Sequence, residues 1–267
     1  MIKVALWATN MSAPIHDRHD FGELVVRAMR KAKGNGADIL LCPEWMSMLM
    51  LSYAPPLLQT EELSWLHDEC WPAHDALLQT AKEIRLGVVL GTWPHRNDDG
   101  EISNMASFYL PSHDDVPEQK IYQVKANPTV EERDKKGWMV KPGNGLVHCL
   151  TYRGKKIAVS ICHDNSVAAW ARTVAVEEPD IVLAPSMTET ESHVDGHKFI
   201  FDWCQKRSVQ WGCIVLAVGA VGTQRLKTRT EPNVGGAAYY NAGLKVGEFP
   251  PRAETTGDGP MMFAVVP

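Results

Sequence analysis

A thiol, a carboxylate and an ammonium group stand at the ends of three separate apolar runs. In VSICHDN, a β-branched run reaches Cys162 and gives way at once to His163, Asp164 and Asn165. In ADILLCPEW, Glu44 lies just past a strand-like run and behind Pro43. In KIYQVKANPTVEER, Lys125 closes a short run and Glu131 and Glu132 follow it. A structural cysteine belongs inside a strand, as a small hydrophobe. A nucleophilic one belongs where the strand stops, beside groups that take its proton. It needs a base, and the oxyanion it raises on a carbonyl needs a positive partner. Singly, each residue has an ordinary explanation: a solvated loop glutamate, a surface lysine, a packed cysteine. Together they supply the parts of nucleophilic acyl chemistry without histidine.

The elements that must hold them are legible as alternating patterns. Apolar runs at 3–8, 37–44, 85–93, 106–111, 120–125, 148–153, 156–162, 180–186, 213–220, 237–242 and 261–266 predict strands. Several are apolar on both sides of the pleat, as in a sheet covered on both faces. Phe21, Leu24, Val25, Ala28, Met29 and Ala32 repeat at helical spacing. Asp20 and Glu23 suggest a capping-box start and Gly34-Asn35-Gly36 a stop. A second helical region covers about 61–84, where Pro72 is expected to split or kink it. Two more helices are expected at 166–178 and, after Ser192 as N-cap, at 193–210. The stretches 92–100, 126–145 and 222–260 are rich in Pro and Gly and read as loops. This is a mixed α/β architecture in one domain, residues 1–267, with neither a repeat nor a linker.

The composition narrows the function classes. The 267 residues are 45% hydrophobic and 22% charged, with a formal net charge of −5. No basic stripe suggests nucleic acid. No apolar run approaches the roughly 18 residues of a membrane span. The six cysteines form no C-x-x-C pair, and no signal-peptide pattern precedes the first strand. They read as reduced thiols in a cytoplasmic protein.

The motifs resemble those of the carbon–nitrogen hydrolase family, the nitrilase superfamily, over nearly the whole chain. GADILLCPE is similar to its glutamate motif, and KANPTVEER to the lysine-loop run of true nitrilases. VSICHDN is similar to its cysteine motif, and GTWPHRNDDGEISNMASFYLP, with Asn104, to the intervening strand pair. The resemblance implies a four-layer α-β-β-α sandwich, two mixed sheets flanked by helices. It implies Glu44 as general base, Lys125 as oxyanion partner, Cys162 as nucleophile, and Glu132 as the second glutamate, with Glu131 the fallback. The His163 backbone N–H would assist at the oxyanion. The implied activity is hydrolysis of a non-peptide C–N bond of a small amide through a thioester. The alternatives are a nitrilase, a non-catalytic binding relative, and acyl transfer to an amine. Asp164 after the cysteine resembles amidase-type relatives, whereas the lysine loop is nitrilase-like. Where many relatives carry an arginine and then Pro-Glu after the cysteine, this chain has Ser166 and Ala168-Ala169. Their R-A-x-E-N segment is here Arg207-Ser208-Val209-Gln210-Trp211. No cofactor or metal is implied, and a homodimer or higher homo-oligomer is.

Other patterns carry less. Cys162 and His163 are sequence neighbours pointing opposite ways, which excludes a thiol–imidazole pair. His193 and His197 have metal-ligand spacing, but Val194 stands where a zinc protease has its glutamate, so no metal site is expected. Trp45, Glu131, Trp138, Asn165 and Met187 are candidate substrate contacts; Trp45 and Trp138 could equally be core.

Overall fold

The computed structural model describes residues 1–114, 116–188, 194–252 and 255–267, the side chains of 194–199 and 250–252 aside. The first half runs β1 (Ile2–Trp7), α1 (Arg18–Gly34), β2 (Ile39–Leu41), a 3₁₀ turn (Met46–Ser52) and α2 (Gln59–Glu83). It continues through β3 (Gly87–Arg96), β4 (Ile102–Leu110), β5 (Gln119–Val124) and the short α3 (Val130–Arg133). The second half holds β6 (Cys149–Tyr152), β7 (Lys155–Val159), a 3₁₀ turn (Cys162–Ser166), α4 (Ala168–Glu177) and β8 (Ile181–Ser186). Then come α5 (Val194–Trp211), β9 (Ile214–Gly219), β10 (Gly222–Arg225), β11 (Thr230–Asn233), β12 (Gly235–Asn241), β13 (Leu244–Arg252) and β14 (Met261–Val266).

Two six-stranded mixed sheets result, ordered β14-β1-β2-β3-β4-β5 and β13-β12-β9-β8-β7-β6. The pleat explains how both faces of the first sheet are buried. Ile2, Val4 and Leu6 of β1 join Ile39, Leu41, Val89 and Phe108 against Ile157, Val159 and Leu183 of the second sheet. Ala5 and Trp7, on the opposite side of the same strand, pack with Phe21, Leu24, Leu66 and Leu77 of the helices. Alternation with period two thus builds both the inter-sheet core and the sheet–helix core. On the second sheet, Trp170, Val174, Phe201 and Cys204 of α4 and α5 complete the outer layer. The four layers are helix, sheet, sheet, helix.

The local expectations differ in several places, among them α3 within 126–145 and β3 reaching Arg96 within 92–100, both read as loop. The N-cap of α1 is Asp17, not Asp20: the extended Asp17 accepts the Asp20 N–H at 2.8 Å, satisfying one of the helix's free donors. Helix α2 continues through Pro72 without a break, because losing one backbone donor does not outweigh a buried face that includes Leu66, Cys70 and Leu77. The 222–260 region also contains the β10–β11 hairpin and β13, where loops were expected beside β12. Strand β13 lies at a sheet edge, the position that tolerates its Gly and Pro residues. Ser192, the expected cap of α5, lies outside the described residues.

Candidate active site

Glu44 comes from beyond the end of β2. The Cys42 N–H still donates to the Val89 carbonyl at 2.9 Å, and the chain then turns through Pro43. Gly91 makes that turn possible. With φ +68°, its missing Cβ would lie 2.0 Å from the Pro43 carbonyl oxygen, so only glycine lets β3 pass so close. Trp45 has left-handed backbone, φ 53°, and its N–H is held by Thr92 Oγ1 at 2.9 Å.

Lys125 follows β5 and keeps its pairing, its N–H donating to the Asn104 carbonyl at 2.9 Å. Its ammonium is buried between two carboxylates. Nζ is 2.7 Å from Glu44 Oε1 and 2.6 Å from Glu132 Oε2. Glu132 closes a capping box on α3: Thr129 Oγ1 accepts the Glu132 N–H, and Glu132 Oε2 accepts the Thr129 N–H at 2.7 Å. Trp45 Nε1 donates to Glu132 Oε1 at 3.0 Å. Asn104 Nδ2 bridges the acids, at 2.8 Å from Glu44 and 3.1 Å from Glu132.

Cys162 opens the 3₁₀ turn after β7 with φ 44°. A side chain in that region costs on the order of 1–3 kcal/mol unless its surroundings hold it. They do. Asn165 Nδ2 donates to the Cys162 carbonyl at 3.0 Å and to the Ser160 carbonyl at 3.2 Å. Ser160 Oγ donates to Asn165 Oδ1 and accepts the Trp170 indole N–H, both at 2.9 Å. Arg207 Nε donates to the Asn165 carbonyl at 2.7 Å. The thiol itself reaches the Met187 carbonyl at 3.6 Å, and the Glu44 carboxylate acts on it from nearby.

The electrostatics follow from burying a charge-rich cluster. Burial raises Glu44 above the ordinary carboxylate range despite Lys125. Burial works against the Lys125 charge, but the two acids outweigh it and hold the ammonium well above its usual value. Burial would also raise Glu132; the Lys125 charge and four hydrogen-bond donors bring it below. The Cys162 thiol is pushed well up, by burial first and by Glu44 second, with Lys125 only partly offsetting them. A neighbouring ammonium ordinarily lowers a thiol; here it loses to burial and the acid. The resting sulfur therefore keeps its proton beside a carboxylate with raised proton affinity.

The structure brings Glu44, Lys125, Glu132 and Cys162 together, none more than 5% exposed. Glu131 is exposed and stands apart. Trp45 joins through Glu132, and Trp138 packs against Trp45 at a tilt, 5.7 Å between ring centroids. Asn165 is consumed in holding the cysteine turn, so its amide is engaged within the protein rather than offered to a substrate. Met187 borders the sulfur through its carbonyl. The His163 ring is half-buried and meets Ser166 Oγ at 3.1 Å. His193 and the His197 side chain lie outside the described residues. Among the described residues, no group of three His, Cys, Asp or Glu side chains could hold a metal ion, and no helix is long and apolar enough to cross a membrane.

Asn104 and Asp164 carry more of the site than their sequence positions suggested. In the sequence they showed as polar residues beside apolar runs and inside the family-like motifs, Asn104 in what is strand β4 and Asp164 two residues after the nucleophile; their contacts did not show.

The sequence profile of the carbon-nitrogen hydrolase family matches residues 3–245. The chain belongs to that family. Its fold is similar to that of an amidase from Nesterenkonia sp., with a TM-score of 0.76 at 17% identity over 100% of this chain and 90% of that one. It is also similar to the glutamine-dependent NAD+ synthetase of Acinetobacter baumannii, with a TM-score of 0.73 at 17% identity. That match covers 98% of this chain and 45% of the synthetase chain. A mutant of the Nesterenkonia amidase, described with acrylamide added at its active-site cysteine, gives a TM-score of 0.74 at 16% identity over 100% of this chain and 94% of that one. No curated protein matches the sequence.

Proposed function

We propose that this protein hydrolyses the C–N bond of a small amide through a thioester on Cys162. The observation that carries the reading is the Lys125 ammonium clamped between Glu44 and Glu132 beside a buried, conformationally strained thiol. Glu44 takes the Sγ proton as sulfur attacks the carbonyl carbon, forming the C–S bond and moving the C=O electron pair onto oxygen. Two of the three Lys125 N–H groups are held by the acids, which leaves the third for that oxyanion, joined by the His163 backbone N–H. Collapse re-forms C=O and expels the amine with the proton held by Glu44. Glu44 then deprotonates a water that attacks the thioester, and the acid leaves as sulfur regains its proton. Glu132 fixes the lysine; it takes no proton.

Because the thiol is not ionised at rest, transfer to Glu44 is coupled to attack. This resembles general-base rather than preformed-thiolate catalysis. The amidase among the similar folds and Asp164 after the nucleophile favour an amide over a nitrile. Six free cysteines, five of them buried, suit a reducing compartment such as the cytoplasm.

Incubation with a panel of short amides and nitriles, followed by intact-protein and peptide mass spectrometry, tests this. An acyl adduct on Cys162 from an amide, with ammonia released, is expected. Cys162→Ala should abolish turnover and keep the fold. Adducts only from nitriles would replace the amidase reading, and turnover by the alanine variant would end it. Absence of any adduct or turnover would favour a binding role.

A further inference from the structure

The β10–β11 hairpin belongs to none of the sequence motifs, yet it touches both sides of the catalytic cluster. On one side, Gln224 Nε2 donates to the Met48 carbonyl, in the turn that follows Glu44 and Trp45. On the other, the N–H of Val234, the residue directly after β11, donates to the Thr188 carbonyl at 3.1 Å. Thr188 adjoins Met187, whose carbonyl accepts from the Cys162 thiol. The hairpin therefore spans the gap between the segment carrying the base and the one bordering the nucleophile.

Its tip is fastened by an ion pair. The Leu226 N–H donates to the Arg229 carbonyl at 2.9 Å and closes the turn, with Leu226 packed on the helix-side core. Arg229 forks onto Glu62 of α2: Nη2 is 2.8 Å from Oε2, and Nη1 also bonds Oε1. Its Nε donates to Glu231 within the hairpin. Glu62 is 3% exposed and has no part in the mechanism above. It holds a second group as well: the Trp138 indole N–H donates to Oε2 at 2.9 Å. Trp138 packs against Trp45, whose own indole N–H holds Glu132. One buried carboxylate thus seats both the hairpin and the aromatic wall behind Glu132. A bidentate guanidinium–carboxylate pair fixes orientation as well as distance. Removing one member leaves the other charge uncompensated, so the contact does not re-form.

We propose that Glu62 and Arg229 are specificity-determining positioning residues. Their ion pair clasps the β10–β11 hairpin as a roof over Cys162 and confines the site to short acyl groups. The nature of the substrate rests on the amidase reading above; the clasp does not.

The test uses the full chain and reads the sulfur directly. Wild type, Arg229→Met and Arg229→Lys are treated with iodoacetamide, which is substrate-sized, or with bulky N-phenylmaleimide. Labelling of Cys162 is followed by peptide mass, with half-buried Cys149 as reference. Arg229→Met should speed maleimide labelling of Cys162 about tenfold or more and iodoacetamide labelling far less, since local opening governs access. Arg229→Lys, which keeps the charge but not the fork, should fall between. The kcat/KM of hexanamide relative to acetamide should rise in the same order. Equal maleimide rates in all three proteins overturn the clasp, as does acceleration shared equally by Cys149. If Arg229→Met fails to fold, the lysine variant decides: a wild-type rate there rejects the proposal. Altered labelling in a protein that hydrolyses no amide keeps the clasp and rejects the amidase reading.

Discussion

Asp164 accepts three hydrogen bonds from the two residues after Lys125. The Asn127 N–H and Nδ2 reach Oδ1 at 2.7 and 2.9 Å, and the Ala126 N–H reaches Oδ2 at 3.2 Å. This fully buried carboxylate staples the turn of the nucleophile to the loop of the lysine, across 37 residues of sequence. Asp164→Asn turns one acceptor into a donor facing N–H groups. A displacement of the lysine by about 1 Å from the sulfur should lower kcat/KM about 100-fold. Steady-state kinetics with a short amide, beside a thermal melt that stays cooperative, check this.

Lys125→Met removes the cation from between two acids. On the proposed role it should cost at least about 100-fold in turnover, the loss of an oxyanion donor. It should also cost about 3–5 kcal/mol of stability at neutral pH, because Glu44 and Glu132 are left buried and unpaired. Urea unfolding at pH 7 and pH 5 measures it. The deficit should shrink at the lower pH, where one acid takes up a proton in place of the ammonium.

The raised thiol predicts its own pH dependence. Alkylation of wild-type Cys162 by iodoacetamide should climb continuously from pH 7 to about 9, the ordinary thiol range, without levelling. A plateau below pH 7 would mean a resting thiolate and contradict the coupled proton transfer. Stopped aliquots analysed by peptide mass give the rate.

His74 is fully buried between Ser107, at 2.8 Å from Nε2, and the rings of Trp71 and Trp93. Burial lowers its pKa to about 4. The unfolded chain, with histidine near 6.5, binds more protons in between, so this contribution is intact above pH 6.5 and is lost as pH falls toward 4. The loss amounts to roughly 3 kcal/mol. Asp164, raised to about 6 by burial, acts oppositely: its contribution is present at low pH and is lost as pH rises through 6. Comparing wild type with His74→Gln by chemical denaturation across pH 4–7 isolates the histidine, because Asp164 contributes alike to both: the stability difference between the two proteins should change by roughly 3 kcal/mol, wild type losing ground to the variant as pH falls from 6.5 toward 4.

Strands β8, β9 and β14 were legible because their apolar runs are long, β1 because only Lys3 interrupts its run, and α1 because six apolar residues share one face. The three strand-end residues could be picked out because carboxylate, ammonium and thiol occur together, each within a motif similar to the family's. The β10–β11 hairpin could not: Gly222, Thr223, Gln224 and Arg225 have no apolar alternation, and what holds them is Gln224 on Met48 and Arg229 on Glu62, contacts over long sequence separations. The role of Asn165 was misread for a related reason. Its amide looked available beside the nucleophile, and only the folded turn shows it spent on the Ser160 and Cys162 carbonyls. The thiol's proton affinity was equally invisible, since it depends on how much water the packing removes.

The backbone of Cys162 has a further consequence. A polypeptide selected for nothing but endurance would gain by losing its side chain there, and Cys162→Gly should melt at a higher temperature than the parent. The molecule keeps a sulfur at the one kind of dihedral where bare hydrogen is more comfortable, and so trades some durability for reactivity.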